Sequence, residues 1–164
     1  LKIDFFSNAM EINVKGTMLC VRAVTQAMIQ QEPLTHTSAR HSARSLRRGS
    51  IVNLASINSY IGAPGMMPYT TSKHAVIGIT KTAGKPLCPI AMDCAKNHMC
   101  VIAVCPSWVD TPMMQASLKR VPQLGQLIQT ASPLHRAATV EEVADYIRLH
   151  ISTEQGYALT RASQ

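Results

Sequence analysis

"GSIVNLAS", residues 49–56, decides the fold. Its apolar residues Ile51, Val52 and Leu54 are bounded by Gly49 on one side and by the Gly/Pro-rich "SINSYIGAPGMMP" on the other, the pattern of a short buried strand. A helix is predicted to start near Tyr69 and to carry "TSKHAVIGITKTA". "HMCVIAVCP" (98–106) reads as a second buried strand, ended by Pro106. Strand, helix, strand, helix is the order of an α/β fold with a parallel sheet.

Farther out, residues 8–31 read as a helix. Asn8 and Glu11 have the spacing of an N-cap and its partner at the third helical position. Met10, Val14, Met18, Val21, Val24 and Met28 recur at helical spacing until Pro33 blocks continuation. "TPMMQASLKRVPQLGQLIQ" is a mixed segment with short helices, and "TVEEVADYIRLHI" (139–151) is a helix opened by a Thr139/Glu142 capping box. The stretch of about 32–48 is polar, basic and without apolar period, and is expected to be a surface loop.

The chain has 164 residues, one domain's worth, and 46% hydrophobic with 15% charged residues describes a globular protein. No apolar run approaches the roughly 18 residues of a membrane helix. Residues 1–10 have no basic start leading into an apolar stretch, so no signal peptide is read there and a cytoplasmic location is expected. The chain opens on leucine, which reads as a fragment or a processed form. Five cysteines without a Cys-x-x-Cys pair suit reduced, buried thiols. Cys94 and His98 could share a helix face, but two ligands do not make a metal site, and none is expected. Much of the net charge of +7 falls in "HTSARHSARSLRRG" (36–49), with Arg40, Arg44, Arg47 and Arg48. A nucleic-acid patch and a solvated surface loop both fit such a run; no aromatic residue is interleaved to stack bases, which favours the loop.

Open α/β sheets bind ligands beyond the carboxyl ends of their strands. Ser56 and Pro106 stand at those ends, and "PYTTSK" (68–73) opens the helix between them. A Tyr-x-x-x-Lys pair alone is a weak signal in a chain with 4 tyrosines. On a helix, however, positions i and i+4 share a face, which sets Lys73 beside Tyr69. An ammonium about 5 Å from a phenol, at an effective dielectric near 20, favours the phenolate by roughly 3 kcal/mol. Such a phenol can give a proton to a carbonyl oxygen or take one from an alcohol. Ser56 could hold that oxygen with its hydroxyl or simply cap a turn. The reaction needs a hydride donor, which no side chain supplies, so a nicotinamide cofactor is implied.

"GSIVNLAS", "PYTTSKHAVIGITKTA" and "AVCPSWVDTPM" together resemble the second half of the short-chain dehydrogenase/reductase family. Ser56 and Tyr69 are thirteen positions apart, as in that family. The resemblance covers nearly the whole chain and implies a single partial domain over 1–164, with a truncated Rossmann-type doubly wound parallel sheet. It implies a catalytic set of Asn13, Ser56, Tyr69 and Lys73, with Asn13, in "INVKGTM", holding a water that links the lysine to solvent. An exposed polar residue is the plain alternative for Asn13. Cofactor contacts fall to Tyr69, Lys73, Pro106, Val109 and Thr111, with NADP slightly favoured over NAD. Thr111, before Pro112, also has the position of a helix N-cap. Met66, Met67, Trp108, Met113 and Met114 either line an apolar substrate pocket or pack in the core or a lid.

The sequence also departs from the family's pattern. It has no Gly-x-x-x-Gly-x-Gly for a pyrophosphate, and the family's Pro-Gly reads Pro106-Ser107. "GKPLCPI" (84–90) interrupts the Tyr69 helix, where Pro86 and Pro89 are expected to force a break or loop. The implied partners are a small carbonyl or alcohol substrate and a second short-chain dehydrogenase/reductase chain, as a homo-oligomer or with a relative; no nucleic acid and no membrane is expected. A catalytically inactive remnant that acts through subunit association is the alternative.

Overall fold

The computed structural model describes residues 2–38, 41–45, 47–84 and 97–151. The centre of the fold is the predicted strand–helix–strand unit. Strand β3 (Gly49–Leu54) pairs in parallel with β4 (Met99–Val104), and helix α3 (Met67–Ala83) lies between them in the chain. The register runs from Gly49↔Met99 to Leu54↔Val104, so both strands end together. Pairing continues past those ends: Ala55 N–H donates to Val104 C=O at 2.8 Å and Ile57 N–H to Pro106 C=O at 2.9 Å. These bonds hold the segments that follow the two strands side by side, where an open sheet binds its ligands.

The α3 helix covers this pair because its apolar and small residues recur at helical spacing. Val76, Ile77, Thr80 and Ala83 are buried. Val76 and Ile77 pack with Ala55, Ala103 and Cys105 near the carboxyl ends of the strands. Ala83 packs with Val21, Ile51 and Met99 in a second core cluster.

The first helical segment differs from expectation at its start and in its middle. Helix α1 (Ile3–Ala9) begins after Lys2, which has extended backbone, so Asn8 is interior to the helix and is no N-cap. The Asn8–Glu11 spacing mimics a cap because a capping pattern is only four residues wide. A π-helical turn, Met10–Lys15, then leads into α2 (Gly16–Ile29). The α1 and π segments pack on α3, whereas α2 reaches β3 and buries Val21 and Thr25.

The basic stretch expected to be a loop forms an antiparallel hairpin of β1 (Thr35–Ser38) and β2 (His41–Ser45), with Thr35 opposite Ser45 and His36 opposite Arg44. Its residues carry no apolar alternation, so the sequence pattern does not report this backbone pairing. Arg48, just after it, donates to the carbonyls of Ile29 and Gln31, placing a cation at the C-terminal end of α2.

The last segments follow expectation. Helices α4 (Pro112–Arg120) and α5 (Gln123–Ala131) fill the mixed segment, and α6 (Val140–Ile151) closes the described chain. Thr139 caps α6 reciprocally. Glu142 N–H donates to Thr139 Oγ1 at 3.1 Å, and Thr139 N–H to Glu142 Oε2 at 2.8 Å. Arg136 grips the same carboxylate at 2.6 and 2.8 Å. Those contacts, the Arg136 hydrogen bond first and the Thr139 N–H second, hold the Glu142 carboxyl down at about 2. The expected interruption at Pro86 and Pro89, and Cys94, lie outside the described residues. Among the described residues no cluster of three metal-ligating side chains occurs, and no helix is long and apolar enough to cross a membrane.

Candidate active site

Ser56 sits where β3 ends. Its backbone is extended (φ −166°, ψ 162°), and it caps a short 3-10 turn, Ile57–Ser59. Its hydroxyl oxygen accepts the Asn58 N–H at 3.2 Å. The capping role and the proposed substrate role are compatible, because a hydroxyl that accepts one bond still has its own proton to donate.

The chain then turns into α3. Met66 N–H bonds back to Ala63 C=O at 3.1 Å across Pro64 and Gly65, and Gly65 has φ +75°. Proline second and a positive-φ glycine third make a type II turn. This turn and Pro68 in the first helical turn set the start of α3, so that Tyr69 falls in its first turn and Lys73 one turn later.

Tyr69 is half-buried, and the Lys73 ammonium lies over its ring, 5.7 Å from the centroid. That is within the reach of a cation–π contact. The same ammonium donates to the Leu54 carbonyl at 2.8 Å, so the lysine ties α3 to the end of β3. Burial pushes the Lys73 ammonium below the usual lysine value, and the nearby Cys105 sulfur opposes that shift.

Two buried serines that the sequence reading did not single out join these parts. Ser59 Oγ donates to the Lys73 carbonyl at 2.9 Å, and Ser72 Oγ donates to the Tyr69 carbonyl at 2.8 Å. Ser72 also accepts the Asn13 side-chain amide at 3.0 Å. Asn13 therefore reaches the Tyr69 turn through Ser72, from a π-helical turn of the kind often found at functional sites. Its own carbonyl accepts the Thr17 hydroxyl at 2.7 Å. The available signals were the capping distance from Ser56 to Ser59 and the adjacency of Ser72 to Lys73.

Beyond β4, Pro106 is half-buried and engaged through its carbonyl. Val109 forms a parallel bridge to Ala138, made by Asp110 N–H to Ala138 C=O at 2.8 Å and Ala138 N–H to Trp108 C=O at 2.9 Å. Extended backbone alternates its polar groups, so the N–H and C=O of Val109 itself point away from Ala138. Thr111 caps α4, accepting Met114 N–H at 3.2 Å. Met66, Met67 and Met113 are exposed, Trp108 is half-buried and Met114 is buried. Met114 lines a cleft of about 470 Å³ with Leu118, Ile128, Asp110, Arg136 and Thr139. Ser56, Tyr69 and Lys73 are not part of that cleft.

Comparison with known proteins identifies the family. The family described as Enoyl-(Acyl carrier protein) reductase matches residues 1–159. The short-chain dehydrogenase srdC of Neurospora crassa is 44% identical over 156 residues, covering 95% of this chain and 54% of that protein. The chain belongs to the short-chain dehydrogenase/reductase family. Among solved structures, a gluconate 5-dehydrogenase from Burkholderia cenocepacia in complex with NADP and tartrate superposes with a TM-score of 0.73 at 21% identity, over 96% of this chain and 53% of that one. An actinorhodin polyketide ketoreductase with NADPH superposes with a TM-score of 0.57 at 30% identity, over 67% of this chain and 42% of that one. This short-chain dehydrogenase/reductase sequence thus spans about half the length of the curated relatives it matches.

Proposed function

We propose that the chain carries the proton-transfer part of an NADP-dependent carbonyl reductase, interconverting a ketone and a secondary alcohol. The observation that carries the reading is the joint placement of the Ser56 hydroxyl at the end of β3 and the Tyr69 ring under the Lys73 ammonium on α3, with Lys73 anchored to the Leu54 carbonyl.

In this reading Ser56 donates its hydroxyl to the substrate oxygen and orients it. Tyr69 gives its phenolic proton to that oxygen as the alcohol forms, and takes it back in the reverse direction. Lys73 stands as a cation over the Tyr69 ring face and ties α3 to the end of β3. Asn13 supports the Tyr69 turn through Ser72. The bound nicotinamide supplies a hydride to the carbonyl carbon.

The residues present fit the nicotinamide end of such a cofactor. Val109 offers a donor and an acceptor, the pair that a carboxamide needs, and Lys73 keeps ammonium protons beyond the one given to Leu54. Thr111 keeps its hydroxyl proton while capping α4. With no Gly-x-x-x-Gly-x-Gly in the sequence, the pyrophosphate and adenosine would be held by residues outside these 164. NADP is favoured over NAD because the solved relatives described above were found with NADP or NADPH.

The test is NADPH titration followed by nicotinamide fluorescence, with a ketone screen on any chain that binds. Tyr69→Phe is expected to lower ketone reduction by about 10²- to 10⁴-fold while cofactor affinity holds. Reduction that survives the change sinks the assigned chemistry. A second reading, association with another chain through the first helical segment, is favoured by Phe5, Ile12 and Leu19, exposed at 69%, 72% and 53% and recurring every seven positions. A monomer by light scattering at the concentrations of the titration would remove it.

A further inference from the structure

The Ser59 hydroxyl is 3% exposed and ends the 3-10 turn that Ser56 begins. Its oxygen accepts the Ser56 N–H at 3.3 Å, and its proton goes to the Lys73 carbonyl at 2.9 Å. The other end of Lys73, its ammonium, donates to the Leu54 carbonyl at 2.8 Å. Lys73 is therefore held at both ends by one span, residues 54–59, with Ser56 in its middle. No other side chain bonds to both the Ser56 backbone and the α3 backbone among the described residues.

We propose that Ser59 is a positioning residue: it sets the end of β3 against the Tyr69–Lys73 turn of α3, so that Ser56 and Tyr69 meet at one substrate oxygen. The catalytic consequence rests on the reductase reading above; the clamp itself does not. Alanine at this position has neither the acceptor nor the donor. The Ser56 N–H, in a residue 7% exposed, would lose its acceptor, and the turn would be free to shift along α3.

The experiment is amide hydrogen exchange on the ¹⁵N-labelled full chain, read at Ser56, with Ala55 as the internal reference because its N–H is bonded to Val104. In the unsubstituted chain the Ser56 amide is expected to exchange as slowly as Ala55. Fast exchange there overturns the proposal before any variant is made. In S59A, Ser56 exchange is expected to accelerate roughly ten-fold, the loss of one hydrogen bond, while Ala55 is little changed. S59T keeps the hydroxyl and is expected to restore the slow rate. The control is T25A, which removes a fully buried hydroxyl from α2 and lowers stability without touching the clamp. Equal acceleration of Ser56 in T25A and S59A refutes a local role.

The activity arm separates this inference from the functional reading. If the chain reduces a ketone, S59A is expected to lower kcat by about ten-fold or more with KM unchanged, the signature of lost alignment. A KM effect alone refutes positioning. If the chain reduces no ketone, the reductase reading fails, and the exchange rates still decide the clamp.

Discussion

Replacing Asn13 and Ser72 by alanine, singly and together, measures whether the proposed fourth catalytic residue is built into the fold. Asn13 donates its amide to Ser72 Oγ at 3.0 Å, and Ser72 is fully buried and donates onward to the Tyr69 carbonyl at 2.8 Å. In N13A, Ser72 loses one partner and keeps the other, so the expected cost is about 1 kcal/mol, the net value of one hydrogen bond. In S72A the Asn13 amide loses its acceptor at a half-buried place that water can partly reach, and the Tyr69 carbonyl loses a donor, giving about 1–2 kcal/mol. The double variant has no bond left to lose twice, so the coupling should be about 1 kcal/mol. The Thr17 bond to the Asn13 carbonyl, at 2.7 Å, survives in all four proteins, which leaves the side-chain amide as the variable. Urea unfolding followed by circular dichroism supplies the four free energies, with m-values compared to confirm a common transition. Effects that add within about 0.3–0.5 kcal/mol would refute the coupling, and with it the claim that Asn13 acts on the Tyr69 turn through Ser72.

Two predictions concern pH. Burial lowers the Lys73 value below its ordinary 10.5, so between the folded and unfolded values the unfolded chain binds more protons than the folded one. Stability should therefore rise as pH increases through that window toward 10.5, and urea midpoints in K73M should lack the rise. Glu142 shows the same sign in an acidic window: its folded value of about 2 lies below the ordinary 4.5, so its contribution is complete above 4.5 and is lost as pH falls toward 2. Hydrogen exchange should show the first turn of α6 fraying over that range, and E142Q should already be frayed at neutral pH; a first turn equally protected in E142Q would refute the cap's role.

The elements that were legible in the sequence are those whose cause is local. β3 and β4 were legible as apolar runs between breakers, and the α6 cap as Thr139 with Glu142 three residues on. The first helix was legible in its apolar period. Its start was not, because Asn8 and Glu11 reproduce a cap's spacing inside a helix that already begins at Ile3. The π turn over Met10–Lys15 left no mark, since residues acceptable in an α-helix are equally acceptable there. The paired strands at 35–38 and 41–45 were missed because their sequence carries no apolar alternation.

The sequence by itself determined the strand–helix–strand order, the pairing of Tyr69 with Lys73 on one helix face, and the position of Ser56 at a strand end. Each follows from periodicity or capping within a few residues. Only the tertiary structure decided what those groups touch. Lys73 reaches a carbonyl 19 positions away, Ser59 binds a carbonyl 14 positions away, and Asn13 finds its partner 59 positions away. Val109 is oriented by a bridge to Ala138, which no local pattern announces. Such bonds exist because packing α3 against the parallel pair brings the end of β3 and the first helical segment to the same turn. A hydroxyl or an ammonium can bond to many carbonyls, and packing selects the one it meets.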